Sequence, residues 1–227
     1  MRNTNSLRDE IHIQHQKLSD QPFSKKMEYF WDYYKIHVIV TVVLALMFGS
    51  ILHTIITRKE TVLSIAYINA FPNVEDEIFI EDFESHLGLN RKKQQVLLDS
   101  TYYIEDESTS PYAATYSQKF STNAMAGKLD VVLADSTNFI FYGNQGFFQD
   151  LTGILPPEIL AQYTNDLYYA DIPNDETSQK VPIGIKIDKA KKICETSSYP
   201  NTEAYFGFVT GSEYVENALS YLNYLEN

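Results

Sequence analysis

The chain has 227 residues, room for one ordinary domain and an appendage, and its 18 Lys and Arg against 30 Asp and Glu leave a formal charge of −12. The charge is unevenly divided: residues 1–59 carry a net +3 and residues 60–227 a net −15, an acidic balance unsuited to nucleic acid or to an anionic membrane surface. The lone Cys194 rules out an intramolecular disulfide and reads as a small, mostly buried hydrophobe.

Taken in chain order, SLRDEIHIQHQKLSDQPF (6–23) is a polar arm with a short helical candidate that stops near Ser19, Asp20 and Pro22. His12 and His15 have an i, i+3 spacing that could share a metal, but two histidines without a third ligand describe a solvated arm better. In MEYFWDYYK, Tyr29, Phe30, Tyr33 and Tyr34 fall on one helical face with Trp31 beside them, the pattern of rings collected at the headgroup level.

Ile36 to Ile56 follows, 21 residues without Asp, Glu, Lys or Arg. About 20 apolar residues rising roughly 1.5 Å each cross a hydrocarbon core of about 30 Å, so this reads as a transmembrane helix. The run is too long for the apolar part of a secretory signal, and no small-x-small cleavage site follows it. His37 and His53 lie near its two ends, where imidazole reaches the interface. Lys17, Lys25, Lys26 and Lys35 precede the span and only Arg58 and Lys59 follow closely, which predicts the N-terminus inside the cell and the C-terminal part outside.

From Thr61 to Asn227 strand and helix patterns alternate. TVLSIAYINAF reads as a strand ended by Pro72 and Asn73, and Asn73 can cap the helix VEDEIFIEDFESHL, whose stripe is Ile78, Phe79, Phe83 and Leu87. Gly88 stops that helix, and Glu75, Asp76 and Glu77 sit in its first turn, where the helix dipole favours acids. A calcium loop would need a D-x-D-x-D-G order that is missing. QQVLLDSTYYI is a second strand, EDESTSP a polar loop, 113–125 a helix and KLDVVLAD a third strand. The continuous apolar run Val131 to Ala134 suits a strand covered on both faces, as in a parallel sheet between helices. The order β-α-β-α-β-α predicts an α/β fold, a three-layer α/β/α lobe with right-handed crossovers and a mostly parallel sheet.

The third strand ends in Asp135, Ser136, Thr137 and Asn138, any of which can cap the next helix. Capping alone accounts for them; capping together with ligand contact is the second reading, because ligands of open α/β sheets bind outside the carboxyl ends of the strands. The helix NFIFYGNQGFF is expected to pack Phe139, Ile140 and Phe147 on the sheet, with Gly143 and Gly146 at its turn and an exit through Asp150 and Pro156.

AGKLDVVLADSTNFIFYGNQGFFQDLTGILP resembles a segment of extracellular solute-binding proteins, the type 2 periplasmic-binding-protein-like fold, in which a strand ending in Asp leads to a helix, a G-x-F/L-x-D/P-L exit and a proline. QKVPIGIKI resembles the strand that returns from that excursion, and EAYFGFVTGSEYVENALSYLNYLEN resembles a strand and late helix of the same proteins. The likeness is one of pattern and covers most of residues 61–227. It departs from the family in length: those proteins have two lobes joined by a hinge, and here there is room for one, so the closing strand is expected to return to the first sheet.

The resemblance implies two functions. One is an accessory, scaffold or interaction subunit whose partner is another membrane or cell-surface protein, a transporter permease among them. The other is a reduced receptor for a small-molecule ligand held by Asn69, Phe71, Thr101, Tyr102, Ser136, Thr137 and Asn138 at the strand ends. No G-x-S-x-G, HExxH, P-loop or paired Cys/His set is present, so no catalytic residue, metal or cofactor is predicted.

Overall fold

A computed structural model describes residues 22–71, 76–104, 111–171 and 180–227. The predicted arm helix, the His12/His15 pair, the Asn73 cap and most of the EDESTSP loop lie outside the described residues. The chain divides into two compact units, 1–58 and 59–227.

In the first unit, helix α1 runs unbroken over Phe23–Thr57, 35 residues and about 52 Å at 1.5 Å per residue. Its stretch Tyr34–Thr57 is long and apolar enough to cross a membrane. The threonine hydroxyls in that stretch bond to the helix itself: Thr41, Thr54 and Thr57 donate to the carbonyls of His37, Ser50 and His53 at 2.8, 3.0 and 2.7 Å. A side chain bonded in this way enters an apolar run without presenting an unmet donor to lipid. Phe30 stacks on Tyr34 with ring centres 5.2 Å apart.

The second unit is mixed α/β. Its elements are β1 (Glu60–Ile68), α2 (Asp76–His86), β2 (Gln94–Tyr102), α3 (Ala113–Met125), β3 (Val131–Asp135), α4 (Ser136–Gly143), α5 (Leu151–Ile154), α6 (Pro157–Gln162), β4 (Leu167–Asp171), β5 (Lys180–Lys186), α7 (Lys191–Thr196), β6 (Ala204–Phe208) and α8 (Val215–Glu226). The strands form one six-stranded sheet in the order β2-β1-β3-β6-β5-β4. β1 pairs in parallel with β2 and β3, whereas β3 with β6, β6 with β5, and β5 with β4 are antiparallel. The expectation of a mostly parallel sheet therefore holds only for the β2-β1-β3 half. Residues 172–179 join β4 to β5, too few for the dozen or so that a parallel crossover needs, so those strands meet antiparallel. The closing strand β6 does return to the single sheet.

Successive residues of β1 and β3 enter two different apolar clusters. Ile65, Tyr67, Val131 and Leu133 join Phe83 of α2 and Ala218, Tyr221 and Leu222 of α8. Ala66, Ile68, Val132 and Ala134 join Phe120 of α3 and Phe139 and Tyr142 of α4. Alternation with period two sends neighbours to opposite sides of the sheet, so a strand feeding both clusters must be apolar throughout. The register of β4 on β5 skips Ile183, a bulge that turns both Ile183 and Gly184 toward the second cluster.

Two local expectations are corrected. Ile140 is 37% exposed, and Tyr142 takes the inward place on α4, three residues after Phe139 and thus on the same helical face, while Phe147 does pack, partly buried, against the second cluster. Cys194 is exposed, not buried, because the short α7 turns Ile193 inward; its thiol lies 3.5 Å from the Asp188 carbonyl oxygen.

Candidate functional site

The carboxyl ends of the three parallel strands are tied together by two asparagines and an aspartate. β1 is followed by Asn69 in the left-handed region, φ 54°, a conformation asparagine tolerates better than most residues. Its Nδ2 donates to the Ile104 carbonyl and to Asp135 Oδ2, both at 3.0 Å, and its Oδ1 accepts from the Ile104 amide at 2.7 Å. Asp135 closes β3 and caps α4, accepting from the Asn138 amide at 3.2 Å and from Asn138 Nδ2 at 2.8 Å. The second Nδ2 hydrogen of Asn138 goes to the Ile104 carbonyl at 3.1 Å. Asn138 is buried, and both amide groups have all their donors engaged inside the protein.

The side chains of the other predicted residues do not join this network, although the Tyr102 carbonyl accepts from the Asn69 amide at 2.9 Å. Ser136 donates its amide to the Glu203 carbonyl at 2.9 Å, and Thr137 is exposed on the first turn of α4. Tyr102 is fully buried, its hydroxyl accepting from Asn123 Nδ2 at 3.1 Å while the Lys119 ammonium sits 4.6 Å above its ring. Thr101 donates its hydroxyl to Asp99 at 2.5 Å and accepts from Lys119 at 3.0 Å. Phe71 is 54% exposed, and its amide donates to the Ser198 carbonyl at 2.7 Å. Partial burial pushes the Asp99 carboxyl up, but hydrogen bonds from Lys119 and Thr101 outweigh it and hold the group below the usual carboxylate range. Burial raises the Tyr102 phenol and keeps it neutral.

Two grooves lined by described residues lie away from this network. A groove of about 410 Å³ is lined by Gly143, Gly146, Phe148, Asp150 and Ile183, and a second of about 620 Å³ by Asp150, Thr152, Leu160, Tyr169 and Lys180; both also border Val181. The aromatic exit after α4 thus lines a groove. Sequence reasoning missed both grooves, because they form only where the exit after α4 and the short helices α5 and α6 meet β4 and β5, a meeting that no local pattern announces.

No protein-family model matches the chain, and no curated protein matches its sequence. The functional reading rests on the chain's own residues. Among the described residues no group of three or more His, Cys, Asp or Glu side chains is placed to hold a metal ion, and no buried side-chain nitrogen or oxygen lacks a hydrogen-bond partner.

Proposed function

We propose that the chain is a single-pass membrane protein whose C-terminal unit is a three-layer α/β lobe outside the cell, similar to one lobe of the type 2 periplasmic-binding-protein-like fold. In this reading the lobe is a non-enzymatic accessory or scaffold subunit for another membrane or cell-surface protein, with a transporter permease as the partner that the likeness to solute-binding proteins suggests. One observation carries the preference over a solute receptor: Asn69, Asp135 and Asn138, at the strand ends where a solute would be held, are spent on one another and on Ile104. A ligand seeking those amides must first break part-buried hydrogen bonds, each worth about 1 kcal/mol net and more when a partner is left unmet. The apolar helix supports the anchor, and the lysines that precede it support the orientation.

The test is the thermal unfolding of the full chain in mild detergent against amino acids, sugars, short peptides and metal ions. A ligand at about 100 times its Kd adds about 2.7 kcal/mol, or roughly 5–10 °C for a domain of this size. No shift is expected. A rise of that size, lost when Ser136 and Thr137 are replaced by Trp, overturns the scaffold reading in favour of a receptor. Protease added to intact cells should remove the region beyond Arg58 and spare an N-terminal tag; digestion of the tag instead reverses the orientation.

A further inference from the structure

The acidic total of the second unit hides an ordered placement of its lysines. β1, β2 and β3 run in parallel, and β5, antiparallel to β6, shares their direction. Each of these strands starts at or just after an exposed lysine: Lys59 before β1, Lys92 and Lys93 before β2, Lys128 before β3, and Lys180 opening β5. Among the described residues these five make no ion pair and no side-chain hydrogen bond. Lysines elsewhere in the unit are mostly engaged: Lys119 with Asp99 at 2.7 Å, Lys186 with Glu203 at 2.5 Å, Lys192 with Glu195 at 3.6 Å, and Lys191 with the Asn227 carbonyl at 2.5 Å. Lys189, beyond the opposite end of β5, is the exception.

The end of the sheet that collects the free lysines is also the end attached to the apolar helix. α1 stops at Thr57 and β1 starts at Glu60, whose amide donates to the Lys93 carbonyl at 2.7 Å. Two intervening residues span at most about 7 Å of extended chain, less than the screening length of about 8 Å at physiological salt. We infer that the amino-terminal ends of β1, β2 and β3 form a contact surface for anionic lipid headgroups, an inference that rests on the reading of α1 as a membrane anchor.

The acids at the same end define the surface's extent. Asp130 is turned inward, accepting from the Ser64 amide at 2.8 Å and the Ser212 hydroxyl at 2.7 Å. Glu81 and Glu84 are taken by Arg91. Glu60, Asp171, Glu213 and Glu216 remain exposed; the last three follow or end the antiparallel strands β6 and β4, so the contact is confined to the β2-β1-β3 side. Met125, 81% exposed at the end of α3 three residues before Lys128, adds an apolar side chain there.

The test uses the full chain in lipid nanodiscs, either neutral phosphatidylcholine or the same lipid with phosphatidylglycerol, with lysine acylation read by mass spectrometry. On the anionic discs, labelling of Lys59, Lys92, Lys93 and Lys128 should fall by about threefold or more while Lys189 stays constant, and salt near 1 M, where the screening length is about 3 Å, should restore it. Replacing Lys92 and Lys93 by Glu should return Lys128 labelling to its neutral-disc level. Equal labelling of the four and Lys189 on both discs, with the chain retained in membranes after alkaline carbonate washing, overturns this inference alone. Release of the chain by carbonate overturns the anchor and the inference with it.

Discussion

The α2/α8 side of the sheet is filled with tyrosines whose hydroxyls have partners: Tyr67 with Tyr221 at 2.6 Å, Tyr199 donating to the Leu133 carbonyl at 2.8 Å, and Tyr224 to Asp82 at 2.7 Å. The α3/α4 side is built around a bare ring. Phe139 stacks on Phe148 with centres 4.3 Å apart and planes 7° from parallel, lying over Gly184 and Gly207, where an added Cβ would run into it. At Gly207 that Cβ would come within 2.8 Å of both rings. One side is specified mainly by directional hydrogen bonds from its tyrosines; the other, although Tyr102 and Tyr142 are bonded there to Asn123 and Ser117, is set apart by atoms removed from the strands so that an aromatic can lie flat. The first kind of packing is sensitive to proton loss, the second to volume.

The largest break in this comparison is at a residue that only the second side uses. Val132→Asp puts an unpaired charge among fully buried side chains at a cost of several kcal/mol, and the chain should fail to fold or be degraded; an unchanged melting temperature would contradict a buried third strand. Next, Gly184→Ala or Gly207→Ala should cost about 1–3 kcal/mol by overpacking, measured as a lowered urea midpoint. The cost should shrink in a Phe139→Leu background; equal cost in both backgrounds would mean that the ring is not what the glycines accommodate. Smallest at neutral pH is Tyr221→Phe, which loses one buried hydrogen bond for about 1 kcal/mol.

The same tyrosine sharpens the contrast in alkali. Burial raises the Tyr221 and Tyr199 phenols well above the ordinary value, so the folded chain keeps protons that the unfolded chain releases above about pH 10. The unfolded state then binds fewer protons, and stability falls as pH rises through and beyond that point. Replacing Tyr221 by Phe should flatten the fall, whereas Gly207→Ala should leave its slope unchanged. Equal slopes in all three proteins would remove the tyrosines as its source.

What could be read from the sequence depended on whether a segment announced itself locally. The charge-free run of α1, the four apolar residues opening β3 and the Phe79/Phe83/Leu87 stripe of α2 are local statements, and each corresponds to an observed element. β4 gave no such signal: it is an edge strand whose Tyr169 faces solvent, so LYYAD has neither a buried run nor a clean alternation. At the strand ends the identity of the cap Asp135 was legible. Its cross-strand partner was not, because Asn69 is 66 residues away and is brought in only when β1 and β3 pair. The closing of that network was therefore hidden, although every residue in it except Ile104 and Asp135 had been singled out as a ligand contact. The lysine surface was hidden by averaging: a net charge has no direction, and the strand order supplies one.

β6 lies in the middle of the sheet, between β3 and β5, although it follows all the other strands in the chain. Until residues 204–208 are inserted, the β2-β1-β3 block and the β5-β4 hairpin are separate pieces with no strand hydrogen bonds between them. During synthesis neither piece can be completed by its own neighbours, and the facing edges of β3 and β5 stay open to pairing with a second chain until the last strand emerges. A message cut short before codon 204 would thus yield two unsealed edges on one polypeptide, a product suited to quality control rather than to partial activity.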